Sequence, residues 1–304
     1  MAAPDVGRLR EDFQAPHELV RTSDGKILFV RRWAGDPGSN LAVLIFHGIT
    51  AYSEPYGKLI AHELAGAGLN VFGMDLRGHG RSDGIRGDLP SGDRLAQDLC
   101  ETIASLKPRF SKVVVLGHSL GVLSSMIAVN RCPGMIDGLI LLSAARQVRP
   151  DAYDRLSAGA TLRTLFGVTF FPSRPWIEYS RRGMLGVDDP LFNFRYSARF
   201  YSSFYAMSPL AVARMLSHHV IDSPNLTPPR TLEIPVLVGV GDQDELFSVE
   251  SARTFFNRLP ASRKDFFVVP DGHHASFPPG SWSPMIAWLK SQFPAAATPG
   301  PSSP

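Results

Sequence analysis

VVVLGHSLGVLSS, residues 113–125, decides the reading of this chain. An apolar run enters Gly117-His118-Ser119-Leu120-Gly121, and small and apolar residues follow. The pentapeptide fits G-x-S-x-G, a pattern that needs a strand before it and a helix after it, and both are in place here. A serine on such a sharp turn exposes its hydroxyl, and the bent backbone leaves no room for side chains beside it. The helix that follows offers a backbone N–H to a developing oxyanion. The stretch predicts Ser119 as a nucleophile.

Working outward, further apolar runs are bounded by turn residues: LAVLIFHG (41–48), LNVFGMDLRG (69–78), DGLILLSAA (137–145), IPVLVGVGDQD (234–244) and KDFFVVPDG (264–272). They are continuous rather than alternating, as strands buried on both faces are. HELVRTS (17–23) and KILFVRRW (26–33) flank Asp24-Gly25 and read as a hairpin, which makes eight strands with the run that ends at Ser119. Helical patterns such as EPYGKLIAHELAGAG (54–68) and SGDRLAQDLCETIASLK (91–107) lie between them. Alternating strand and helix predicts an α/β fold, a mostly parallel sheet covered by helices on both faces.

Composition agrees with one sizeable folded core: 44% of the 304 residues are hydrophobic and 19% charged. The net charge of +3 comes from scattered basic residues, which predicts no nucleic-acid partner. Cys100 and Cys132 form no CxxC and no Cys/His cluster, so neither a disulfide scaffold nor a zinc site is expected, and both are expected in the core of helices. The first sixteen residues are polar, and no window reaches the roughly 18 apolar residues of a membrane span, so a cytoplasmic protein is expected.

A nucleophilic serine needs a base, and the base needs an orienting acid. In a fold of this kind the acid and then the histidine follow the serine along the chain, each just after a later strand. VLVGVGDQDELFS offers Asp242, Asp244 and Glu245, and FFVVPDGHHASF offers His273 and His274. In LIFHGIT, His47-Gly48 ends a strand, and the backbone N–H of Ile49 is the natural second oxyanion donor beside that of Leu120. His47 itself reads as a turn residue bonded within its loop.

HGIT, GMDLRGHGRSDG, GHSLG, GDQDELFS and DGHHASF span residues 47–277, and together they resemble the α/β-hydrolase fold superfamily. Within it the chain is similar to the monoacylglycerol lipase-like or lysophospholipase-like branch, the serine aminopeptidase S33 type. The resemblance implies Asp244, three residues past Gly241, as the acid, and His274, four after Pro270, as the base. It also implies that Asp75, Arg77, Gly78, His79, Gly80 and Ser82 shape a loop rather than catalyse. His273 before the base and Pro278-Pro279 after it depart from the family pattern, as does Val122 in place of a second glycine. Serine at the elbow sets aside the aspartate-dependent dehalogenases and epoxide hydrolases of this fold.

The strand–helix alternation breaks between residues 147 and 230. We therefore expect a hydrolase core over 1–146 and 231–293, a helical cap over 147–230 and a disordered tail over 294–304. The cap segment carries Leu165, Phe166, Val168, Phe170, Phe171 and Trp176, interleaved with Arg163, Arg174, Arg181 and Arg182. Phe170 and Phe171 are expected to roof an acyl pocket, with His118 also touching substrate, and the cap is expected to make transient contact with a lipid surface. The expected reaction is hydrolysis of a carboxylic ester, of the monoacylglycerol or lysophospholipid kind, through an acyl-enzyme and without metal or cofactor. A short-chain carboxylesterase, a thioesterase, an aminopeptidase and a non-catalytic binding protein on the same scaffold are the alternatives. Glu178, Asp188 and Asp189 are too few to make the acidic recess an aminopeptidase needs.

Overall fold

The structure, a computed structural model, describes residues 5–149, 152, 157–179, 189–205, 208, 223–226 and 230–294. The expected tail, residue 294 apart, lies outside the described residues, as do Arg181, Arg182 and Asp188.

The hairpin forms as the Asp24-Gly25 turn predicts, with β1 (His17–Arg21) antiparallel to β2 (Ile27–Trp33). Next come β3 (Leu41–Phe46), β4 (Asn70–Met74), β5 (Lys112–His118) and β6 (Gly138–Leu142). A two-residue antiparallel pair, β7 (Ile177–Glu178) and β8 (Arg195–Tyr196), stands apart from the main sheet. The last strands are β9 (Val236–Gly241) and β10 (Lys264–Val269). The main sheet has eight strands in the order β1-β2-β4-β3-β5-β6-β9-β10. It is parallel from β4 onward, while β2 runs antiparallel to both of its neighbours.

β3, β4 and β6 are buried along their whole length, which is why their sequences do not alternate. Alternate residues of each strand instead feed two separate cores. Leu44, Phe46, Val113, Val115, Leu139 and Leu141 pack on one face, and Val43, Ile45, Val114, Leu116, Ile140 and Leu142 on the other. The first face is covered by α3 (Gly92–Leu106), α4 (Leu120–Arg131) and α7 (Val249–Arg258). The second face is covered by a π-helical turn (Gly57–Ala61), by α2 (His62–Gly66), into which that turn runs, and by α8 (Ser283–Gln292). The remaining α-helices among the described residues are α1 (Val6–Glu11), α5 (Ala158–Phe170) and α6 (Ala198–Tyr205). α3 starts where Ser91 accepts the Arg94 N–H, and one stripe of it, with Leu95, Leu99, Ile103 and Leu106, is buried.

The cysteines correct the sequence expectation. Cys100 of α3 and Cys132, at the end of α4, are joined in a disulfide, so they staple two helices instead of packing as separate thiols. The 78–84 loop is a structural knot. Arg77 makes a two-pronged ion pair with buried Asp98 of α3 and also reaches Asp24 in the hairpin turn. Buried Asp75 accepts the N–H groups of Ser53 and Arg81, and Ser82 donates to the Asp75 carbonyl. Among the described residues no helix is long and apolar enough to cross a membrane.

Candidate active site

The parallel strands end along one edge of the sheet, and the site is built from the loops that leave them. β5 runs into Ser119, which caps α4 with φ 56° and ψ −119°, a conformation rarely held without surrounding constraint. The flanking glycines follow from close approach. A Cβ at Gly117 would stand 2.2 Å from the Gly121 carbonyl oxygen, and one at Gly121 would stand 1.9 Å from that of Phe46 at the end of β3. Only glycine lets the elbow close against both its own helix and the neighbouring strand.

Three side chains meet at this edge. Nε2 of His274 lies 3.0 Å from Oγ of Ser119, and Nδ1 of His274 lies 3.1 Å from both carboxylate oxygens of Asp244. Asp244 comes from the loop after β9 and is fully buried, and His274 comes from the loop after β10. Asp244 also accepts the N–H groups of Leu246 and Phe247 and the hydroxyl of Ser143. Burial opposes its ionisation, but the adjacent His274 and these donors outweigh it and bring its pKa down to about 2. The carboxylate is therefore charged at neutral pH and faces Nδ1 of His274. The His274 ring lies between His118 and Phe247, with centroids 5.0 and 5.7 Å away.

The other candidates fall elsewhere. Asp242 is exposed. His273 bonds Glu245 instead, with Nδ1 at 2.6 Å from its carboxylate. His47 is buried, bonds the Gly48 carbonyl through Nδ1 and accepts the Leu76 N–H at Nε2. Burial lowers its pKa to about 4, which keeps it neutral. Gly48, the residue before Ile49, passes so close to the elbow that a Cβ on it would stand 3.2 Å from that of Ser119. Leu120 is the first residue of α4.

The three residues expected to touch substrate have the following settings. His118 is 3% exposed, and both its ring nitrogens are engaged, one by the Tyr56 hydroxyl and one by the His274 carbonyl, so neither is open to a substrate. Phe170 and Phe171 are 65% and 38% exposed and stack with Phe166 and Trp176. α5 buries Gly167 and Val168 and packs Leu165 against the core, while Leu162, Phe166 and Phe170 face outward. Ser143, Tyr56 and Glu245 were not singled out for these contacts. The only local signal for Ser143 is a polar residue closing the apolar run LILL; for Tyr56 there is none. Among the described residues no group of three or more metal-ligating side chains comes together.

Known proteins agree with this architecture. Over 292 residues the chain is 28% identical to the uncharacterized protein YnbC of Escherichia coli, covering 93% of this chain and 47% of that one. It is 29% identical to mouse monoglyceride lipase over 46% of each chain. It is 25% identical to the monoacylglycerol lipase of Mycolicibacterium smegmatis, over 81% of this chain and 85% of that one. The chain thus spans about half the length of YnbC and of the mouse enzyme. A soluble variant of monoglyceride lipase from Saccharomyces cerevisiae superposes with a TM-score of 0.68 at 17% identity, covering 92% of this chain and 96% of that one. The monoacylglycerol lipase of Paleococcus ferrophilus gives 0.59 at 22%, covering 87% and 99%. The fold is that of the α/β hydrolases. The profile of the family described as serine aminopeptidase, S33, matches residues 38–277, and the chain belongs to that family.

Proposed function

We propose that this protein is a serine hydrolase of carboxylic esters, with Ser119 as nucleophile, His274 as general base and Asp244 as the acid that orients it. The observation that carries the reading is the unbroken line from Ser119 Oγ through the His274 ring to the charged carboxylate of Asp244. In the first step Ser119 attacks the ester carbonyl while His274 takes its proton. The backbone N–H groups of Leu120 and Ile49 receive the oxyanion. His274 then protonates the leaving alcohol, and a water activated by the same ring releases the acid from Ser119.

The substrate we propose is a monoacylglycerol-like or lysophospholipid-like ester, supported by the monoacylglycerol lipases among the relatives. The outward aromatic residues fit a second part of the same reading. Leu162, Phe166, Phe170, Phe171 and Trp176 stand exposed beside Arg163 and Arg174, a composition suited to an anionic lipid surface from which such an ester is drawn. Aminopeptidase chemistry is less well supported, since Asp189 is engaged by the Tyr52 hydroxyl. The cytoplasmic setting expected from the sequence would require the Cys100–Cys132 bond to survive a reducing pool, so the bond itself favours an oxidising compartment. Trapping the two thiols by alkylation in intact cells decides between them.

The test is a series of p-nitrophenyl esters of rising acyl length, together with a fluorophosphonate probe. Wild-type protein should be labelled at Ser119 and hydrolyse the series, while Ser119→Ala should do neither. A folded Ser119→Ala protein of near-normal activity, or a wild type inert to both reagents, would refute the proposal.

A further inference from the structure

The His273-His274 pair and Glu245 are left unexplained by the reaction alone. His274 sits in the loop after β10, where its peptide is outside any strand or helix. Its N–H donates to Oε2 of Glu245 at 2.9 Å. Its carbonyl accepts from Nε2 of His118 at 2.8 Å. The two partners are the sequence neighbours of the other two members of the site. Asp244 holds the His274 ring and Glu245 holds its N–H; Ser119 meets the ring and His118 holds its carbonyl.

Each grip is itself supported. Oε1 of Glu245 accepts from Nδ1 of His273, which fixes the carboxylate from its far side. Because Nε2 of His118 donates, its Nδ1 accepts the Tyr56 hydroxyl proton at 2.7 Å. The Tyr56 oxygen in turn accepts the Gly48 N–H at 2.8 Å. The hydrogen-bond direction is consistent throughout, from the Gly48 backbone beside the nucleophile to the carbonyl of the base. His118 stays neutral in this chain, since its burial lowers its pKa to about 3.

We propose that Glu245 and the His118–Tyr56 pair are positioning residues that clamp the main chain of the general base from both sides and so set the distance between His274 and Ser119. This rests on the ester-hydrolase reading above. A base displaced by a fraction of an ångström loses rate in the chemical step while substrate binding stays as it was. His273 acts one step removed, through Glu245.

The experiment compares Glu245→Ala, Glu245→Gln and Tyr56→Phe with wild type in steady-state hydrolysis of one p-nitrophenyl ester, after a thermal melt shows each variant folded. Glu245→Ala should lower kcat about tenfold with KM within about twofold. Glu245→Gln should recover most of that loss, because its amide oxygen still accepts the His274 N–H. Tyr56→Phe should lower kcat in the same sense. A kcat for folded Glu245→Ala within about twofold of wild type, a change confined to KM, or no recovery by glutamine would overturn the clamp. A second readout does not depend on turnover. The downfield proton resonance of His274 Nδ1–H, bonded to Asp244, should shift or broaden in Glu245→Ala and in Tyr56→Phe. An unaltered resonance in both would overturn the proposal even if wild-type protein hydrolysed no ester, a result that by itself would refute only the functional reading.

Discussion

The hydroxyl of Ser143 donates to Oδ2 of Asp244 at 2.7 Å, one of the two carboxylate oxygens that face Nδ1 of His274. Ser143 directly follows β6 with φ 53°, a strained conformation for a serine, and it is 2% exposed. The bond stops the carboxylate from rotating out of line with the imidazole. Ser143→Ala should therefore lower kcat/KM for ester hydrolysis about tenfold, since a hydrogen bond to a charged group contributes about 1.5–3 kcal/mol and other donors remain on Asp244. An unchanged kcat/KM would show that the backbone N–H groups of Leu246 and Phe247 suffice.

Asp244→Asn should cost about 10⁴-fold in kcat, because an amide no longer enforces the tautomer in which His274 accepts the Ser119 proton. Stability should change with pH as well. The folded pKa of about 2 lies below the ordinary value of 3.8, so the charged carboxylate stabilises the fold above pH 3.8, and that contribution is lost as pH falls through 2. Urea unfolding of wild type between pH 4 and 2 should show this loss, and the asparagine variant should show less of it.

The adjacent histidines should separate cleanly. His274→Ala should match Ser119→Ala in severity, because residues that act as one unit are lost together. His273 is half exposed and bonded to Glu245, and His273→Ala should lower kcat only a fewfold, about threefold or less. The reverse ranking in steady-state assays would move the base to His273.

The outward aromatics should govern binding to lipid surfaces rather than chemistry. Replacing Phe166 and Phe170 together with Ala should weaken co-sedimentation with vesicles containing anionic lipid by about tenfold or more, while turnover of a soluble acetate ester holds. Equal co-sedimentation of variant and wild type would return these residues to an ordinary exposed helix.

Reduction of the Cys100–Cys132 bond should lower the free energy of unfolding by about 3–4 kcal/mol, from the loop closed by a separation of 32 residues. A Cys100→Ser, Cys132→Ser double variant should unfold at lower urea than the oxidised parent and match the reduced one.

The strands and the elbow were readable because burial on both faces and close backbone approach leave marks in a single stretch. β3 and β6 are apolar throughout, and Gly117 and Gly121 stand where any side chain would collide with backbone. The chain order of Ser119, Asp244 and His274 was readable for a similar reason, since each lies at or within a few residues of the end of a strand. What was hidden depends on which elements become neighbours. Cys100 and Cys132 meet only because α3 packs beside α4. Ser143 reaches Asp244 only because β6 pairs with β9. Phe170 and Phe171 look like core residues by type, and nothing local says that α5 turns them outward. The knot at Arg77 was legible as a motif, although its partners Asp24 and Asp98 were not.

The sheet order has a consequence for anyone who would build on this scaffold. All the groups assigned to chemistry leave the strands at one end, in the loops after β3, β5, β6, β9 and β10. The opposite end is free of that duty. The connection entering β3 carries an exposed turn at Asp36, Pro37 and Gly38. A reporter peptide grafted between Pro37 and Gly38 would ride on the far side of the sheet, about 20 Å of strand from Ser119 at roughly 3.3 Å per residue over the six residues of β3. Turnover would then be watched by a label that the substrate never meets.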